Sequence, residues 1–227
     1  RDIVFVKTFC KHARYNGLIT HPQMDSIGIS REKTEKIYLD TVEIQKIEDV
    51  KLGSAALDNA RNWLIVSCYT GQRVSDFLNF TSEMIRKEDD KFLLEFRQKK
   101  TQKLMGIPIH PKVQQVLDKN GGQFPKKISD QKYNDYIKEV CRLAGIDELT
   151  AGGKIDTLSK RKIKGFFPKW EMVSSHIGRR SFATNFYGQI PTALLISATG
   201  HSSESLFLDY IGKTNTDKAL ALADYFQ

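Results

Sequence analysis

One stretch, "SAALDNARNWLIVSCYTG" (Ser54 to Gly71), constrains the fold more than any other. It places Leu57, Ala60, Leu64 and Cys68 three or four residues apart and ends on glycine. That spacing predicts a helix buried on a broad face, stopped by a residue that tolerates the left-handed cap. The next clear pattern has a different period. From 82 to 110, "EMIRK", "KFLLEFR" and "LMGIPI" are short apolar runs separated by charged turns. They read as a three-stranded antiparallel sheet. A core helix feeding a small sheet sets the frame for the rest of the chain.

The flanking segments are mostly helical. Asp40 with Glu43 in "LDTVEIQKI" fits a capping box, with Ile44 and Ile47 opening the buried stripe. "VSDFLNF" starts a short helix, and "PKVQQVLDK" starts another with Pro111 at its first position. "SDQKYNDYIKEVCRLAG" predicts a helix capped by Ser129, with Tyr133, Ile137, Val140 and Ala144 inward and Gly145 at the stop. Residues 150–174 alternate weakly around basic turns and read as a hairpin insertion. Three short helices follow at 176–187, 191–199 and 203–211, then an amphipathic stretch, "TDKALALADYF". The expected fold class is mainly α with a small three-stranded antiparallel β-sheet (α+β).

At the N-terminus, Val4, Phe5, Phe9, Cys10 and Ala13 recur at helical spacing until Gly17 and Pro22. The polar segment after them lacks apolar periodicity and reads as a tether. The chain starts at Arg1 inside that amphipathic pattern and is expected to be a fragment of a longer protein, so a missing signal peptide says little. Its longest uncharged apolar run, Trp63 to Tyr69, is far short of the roughly 18 residues that suggest a membrane span, and a soluble protein is expected. The three cysteines, at 10, 68 and 141, form no CxxC pair. Buried reduced thiols are the favoured reading, and structural zinc is disfavoured.

The 227 residues carry a net charge of +8, concentrated in one place. Lys154 to Arg180 holds eight Lys and Arg against Asp156 and Glu171, whereas residues 201–227 are net acidic. Such a segment suggests a polyanionic partner or simply a solvated basic loop.

Several side chains can do chemistry. His176 and Arg179, three apart, share a helix face, and a cap from Ser174 or Ser175 would set both near a positive helix end that favours anions. Arg73 follows the core helix directly and needs a partner, either Asp76 or a bound phosphate. Lys100 lies on the predicted hairpin tip, with Lys99 and Lys103 competing for its role. His201 follows Gly200 at a helix end. Ser202 or Ser203 reads as a cap, and no G-x-S-x-G elbow is present. Tyr210, in phase with Leu206 and Phe207, reads by pattern as a core residue. Singly, none of these is decisive.

In order they are more specific. "TGQRVSD", "KKTQKLMGIPI", "HIGRRSFAT", "TGHSS" and "FLDYIG" resemble the blocks of the tyrosine recombinase (phage integrase) family, from about residue 37 to 215. The resemblance implies that Arg73 and Arg179 clamp the scissile phosphate and that His176 and His201 donate hydrogen bonds to it. His176 would also manage the nucleophile's proton. It further implies that Lys100 protonates the leaving 5′ oxygen and that Tyr210 attacks phosphorus, with no metal or other cofactor. Lys99, Lys103, Lys160, Arg161, Lys162, Lys164 and Arg180 would contact flanking DNA phosphates.

On this resemblance, residues 1–28 are the last helix of a truncated core-binding domain, 29–38 a linker and 39–227 the catalytic domain. Double-stranded DNA and other protomers in a synaptic assembly are the expected partners, at a bacterial, nucleoid-associated location. A type IB topoisomerase-like activity, and a DNA-binding regulator that leaves the site unused, are the alternatives. Two departures stand out. Family members often carry Leu where this chain has Gly178, which should alter packing and spare the phosphate contacts. The 150–174 insertion is longer than in compact members, with DNA clamping as its expected role.

Overall fold

Secondary structure follows the caps and periods closely in this computed structural model, which describes residues 2–28, 36–156, 158–159, 161–223 and 226. The chain divides into two units, Arg1–Thr34 and Glu35–Gln227. Of the expected linker 29–38, residues 29–35 lie outside the described residues.

The first unit holds α1 (Asp2–Tyr15) and a single-turn α2 (Gln23–Ser26). No side chain of α1 is buried; Phe9 is 73% exposed, and Ile3, Val4, Phe5 and Val6 are also exposed. Arg14 pairs with Asp25 and donates from Nε to Thr20, which ties α1 to the turn after it.

The second unit is built around α4 (Ala55–Thr70). Asp40 and Glu43 close the capping box that starts α3 (Thr41–Asp49), and Ser54 caps α4. α4 buries residues on most of its circumference, among them Trp63, Leu64, Val66 and Cys68. Trp63 stacks on Phe124 at 6.0 Å and tilts against Phe77 at 5.9 Å. Truncating a buried aromatic of this kind costs about 3–5 kcal/mol. Gly71 ends α4 at φ +68°, and the chain turns into α5 (Val74–Phe77).

The sheet order is β1 (Ile85–Glu88), β2 (Lys91–Arg97), β3 (Leu104–Pro108), antiparallel throughout. Leu94 faces Ile107 and Phe96 faces Met105 across β2 and β3, so the alternating apolar residues share the buried face. Helices α6 (Pro111–Lys119) and α7 (Asp130–Leu143) pack on α4, with Ser129 capping α7. The 150–174 region is a hairpin of β4 (Leu149–Ile155) and β5 (Lys162–Pro168) leading into α8 (Lys169–Met172). A buried ion pair, Lys169 with Glu43, fastens its base to α3.

A second apolar cluster holds the last helices together: α9 (Ile177–Asn185), α10 (Thr192–Thr199) and α11 (Glu204–Ile211). Phe182, Ala183, Leu195, Phe207, Leu208 and Ile211 form it. α12 (Asn215–Ala223) follows. The longest packed helix pair is α4 with α9, and two glycines let them approach. A Cβ on Gly178 would stand 2.1 Å from Oγ and 2.6 Å from Cβ of Ser67; one on Gly71 would stand 2.5 Å from Phe182. Any residue larger than glycine at position 178 would therefore have to displace Ser67 on the facing helix.

Cys68 and Cys141 are buried and unpaired, and Cys10 is half-buried. Burial pushes the Cys141 thiol up to about 12 and Cys68 higher still. No described helix is long and apolar enough to cross a membrane.

Candidate active site

Four helix ends deliver the site. Arg73 stands two residues past the Gly71 cap of α4, and Arg179 lies one turn into α9. His201 follows the Gly200 cap of α10 at φ +67°, and Tyr210 lies in the last turn of α11, ahead of the Gly212 cap.

Arg179 is nearly fully buried. Its Nη1 donates to the carbonyl of Gly71 at 3.0 Å, and its Nη2 donates to the carbonyl of Thr199. The guanidinium thus ties the ends of α4 and α10 together. Burial, with the charge of Arg73 adding to it, lowers its pKa to about 10, so it stays cationic at neutral pH.

Arg73 does not pair with Asp76. Its Nη1 donates to Oε1 of Gln98 at 3.0 Å, while Asp76 accepts the Lys99 backbone N–H through Oδ1 at 2.9 Å. The buried Oδ2 of Asp76 has no hydrogen-bond partner.

Tyr210 is largely buried; its hydroxyl has no partner at full hydrogen-bond geometry, but the Arg179 guanidinium lies close enough to act on it. Arg180 and Arg179 stand with their guanidinium carbons 5.2 and 5.9 Å from its ring centre. The His201 ring lies 5.1 Å away. Burial raises the phenol's pKa, and the charges of Arg179, Arg180 and Arg73 pull it back. Among the described residues, none of these arginines forms a salt bridge with a carboxylate, whereas Lys169, Lys154 and Lys112 all do. Asp76 acts on Arg179 only at a distance, and a phenol set among cations that no described carboxylate pairs directly is equipped to hold an anion and to become one.

His201 Nδ1 is hydrogen-bonded to the Thr199 hydroxyl at 2.7 Å, leaving Nε2 as its free edge. Burial, then Arg179 and Arg73, lowers its pKa to about 4. His176 is the N-cap of α9 and exposed at its edge. Neither Ser174 nor Ser175 caps that helix: His176 already has helical backbone angles and the turn closes from Ile177 N–H to Ser174 O. Ser175 instead gives its N–H to Asn134. Burial lowers the His176 pKa, followed by Arg180, Arg179, Arg73 and Lys100, so the Lys100 charge is felt there.

Lys100 is exposed in the β2–β3 turn, as are Lys99 and Lys103. Arg161, Lys162 and Lys164 are exposed on the β4–β5 hairpin, a separate element from those carrying the cluster, and Lys160 lies outside the described residues. Arg180, expected at flanking DNA phosphates, faces the Tyr210 ring and donates from Nη1 to the Ile37 carbonyl. Gln72, Gln98 and Thr199 were not singled out by the sequence, although all three fall inside or beside its quoted blocks. All three are fully buried polar residues, and nothing in residue type alone marks them so.

This arrangement of helices and sheet is the tyrosine recombinase catalytic-domain fold, as comparison with solved structures shows. No family model matches the chain, and no curated protein does. Lambda integrase, in a dimer bound to a COC′ core site, superposes with a TM-score of 0.67 at 18% identity, over 94% of this chain and 72% of that one. The Tn1549 transposon integrase in complex with transposon right end DNA gives 0.65 at 14% identity, over 99% and 78%. The XerH site-specific recombinase in a post-cleavage complex with palindromic difH substrate gives 0.57 at 15% identity. The match covers 85% of this chain and 54% of XerH, so the chain spans about half the length of that recombinase.

Proposed function

We propose that the chain is the catalytic part of a site-specific DNA recombinase that cuts and rejoins DNA through a 3′-phosphotyrosyl intermediate. The observation that carries this reading is Tyr210, flanked by Arg179 and Arg180 and within reach of the charge of Arg73, none of the three salt-bridged to a carboxylate among the described residues. A scissile phosphate would supply the missing negative charge.

Arg73 and Arg179 then bind the non-bridging oxygens, and His201, protonated beside the bound phosphate, donates to one of them from Nε2. The Tyr210 oxygen attacks phosphorus, and its proton passes to His176, whose lowered pKa leaves it neutral and able to accept. The bond to the 5′ oxygen breaks as Lys100 protonates it. The tyrosyl ester keeps the phosphodiester's energy, so a 5′ hydroxyl can reverse the steps without ATP or metal. On this reading residues 1–28 close a core-binding domain, 39–227 are the catalytic domain, and protomers assemble on DNA. The exposed basic residues of the β4–β5 hairpin lie on flanking phosphates.

A suicide duplex, nicked so that the cleaved end diffuses away, tests this. The sequence is selected from a randomised pool by covalent capture. The expected result is a metal-independent adduct that Tyr210→Phe abolishes. An adduct that survives this substitution would overturn Tyr210 as nucleophile. Supercoil relaxation without strand exchange would favour a topoisomerase-like activity.

A further inference from the structure

Gln98 stands where β2 leaves the sheet, two residues before Lys100, and its side chain is fully buried. One atom of it, Oε1, accepts both from Nη1 of Arg73 at 3.0 Å and from the hydroxyl of Thr101 at 2.7 Å. Its Nε2 donates to Oε1 of Gln72 at 3.3 Å. Gln72, also buried, donates from Nε2 to the carbonyls of Thr70 and Ala198. The Gln98 amide lies against Gly200, where a Cβ would come within 3.0–3.4 Å of it. A polar chain therefore runs from the end of α4, through Gln98, to the end of α10, and one branch reaches the β2–β3 turn.

The backbone of that turn closes on itself, from Gln98 N–H to Lys103 O and from Gln102 N–H to Gln98 O. Those bonds set its shape. They do not set where it sits relative to Arg73. The Thr101–Gln98–Arg73 contact does so, together with the Lys99 N–H on Asp76. An amide suits the junction. A carboxylate would take the same two donors but would neutralise Arg73 and compete with an incoming phosphate. The amide oxygen orients the guanidinium and leaves its charge available.

We infer that Gln98 and Thr101 form a latch that docks the β2–β3 turn on Arg73 and so sets Lys100 for proton delivery. Thr101 and Gln98 are positioning residues, and the inference rests on Lys100 being the general acid. An undocked lysine on an exposed turn spends little time within the roughly 3 Å that proton transfer requires.

The test compares single-turnover cleavage by the full chain on two captured duplexes, one with the ordinary 5′ oxygen and one with bridging 5′ sulfur. A thiolate leaves without a proton. Lys100→Ala should be slow on oxygen and restored on sulfur. Thr101→Val, an exposed-turn change whose fold is checked by thermal denaturation, should be about tenfold slower on oxygen, unchanged on sulfur and rescued by Thr101→Ser. Gln98→Leu should keep a deficit on sulfur, because Arg73 is also released.

Equal rates of Thr101→Val and wild type on oxygen, or equal slowing on both substrates, would overturn the latch while leaving the recombinase reading intact. Failure of sulfur to restore Lys100→Ala would remove the general acid and the latch with it. No adduct with the wild-type chain would overturn both this inference and the proposed function.

Discussion

The guanidinium carbon of Arg180 stands 5.2 Å from the centre of the Tyr210 ring. Its neighbour Arg179 is held by two carbonyls, whereas Arg180 reaches one, that of Ile37, and its buried Nε has no partner. Arg180 is thus a third cation at the phenol. Replacing it with Gln should slow adduct formation roughly tenfold, about the effect of one pKa unit. The dependence of DNA affinity on salt should stay within error of wild type. A flatter salt dependence would mark Arg180 as a backbone-phosphate contact instead.

Tyr210→Phe should abolish the adduct without destabilising the fold. The hydroxyl is buried without a partner at full hydrogen-bond geometry, and a polar group left unsatisfied costs about 1–3 kcal/mol. Because arginine charges already attract its oxygen, the expected gain is small, up to about 1 kcal/mol, read by urea denaturation. A loss of stability would mean that the hydroxyl has a structural partner.

Gly178→Ala should destabilise by about 1–3 kcal/mol, and Gly178→Leu by more. The obstacle is the Ser67 side chain and backbone on the facing helix, within 2.1–3.0 Å of the new Cβ. Ser67→Ala alone should cost little, since its hydroxyl has no partner at full hydrogen-bond geometry and only a weak interaction with Tyr133. Thermal unfolding of the three variants checks the series.

Acid should weaken the fold through His201. Its folded pKa is lowered to about 4, against about 6.5 for an unfolded histidine, so the unfolded chain binds more protons between those values. Stability is fully present above pH 6.5 and declines as pH falls towards 4. The Tm of wild type should fall more steeply over that window than that of His201→Gln. A phosphate at the site would raise this pKa, so DNA binding should take up protons at His201. Calorimetry in buffers of different ionisation enthalpy measures the uptake.

What the sequence disclosed follows from how each feature is encoded. Caps at Asp40, Ser54, Ser129 and Ser203 and the stop at Gly71 are local chemistry, so they are visible one turn at a time. The sheet was legible because Leu94, Phe96, Met105 and Ile107 alternate. Gln98 was not, since between Arg97 and Lys99 it looks like one more polar turn residue. Its burial comes from Gly200, far along the chain. The place of Arg180 beside Tyr210 was hidden for a related reason. Two adjacent arginines on a helix point about 100° apart, and only the placement of α11 decides that both meet the same ring.

The packing of α9 on α4 also has a consequence in time. Under the proposed function, Arg73 and the acid lysine are synthesised well before the nucleophile, and the two sets meet through that helix pair and through the contacts of α10 with Gln72 and Gln98. A ribosome-bound chain can therefore fold its sheet and core helix, and even touch DNA, while holding nothing able to attack it. If Tyr210 is the nucleophile, unfinished protein lacks the group that nicks.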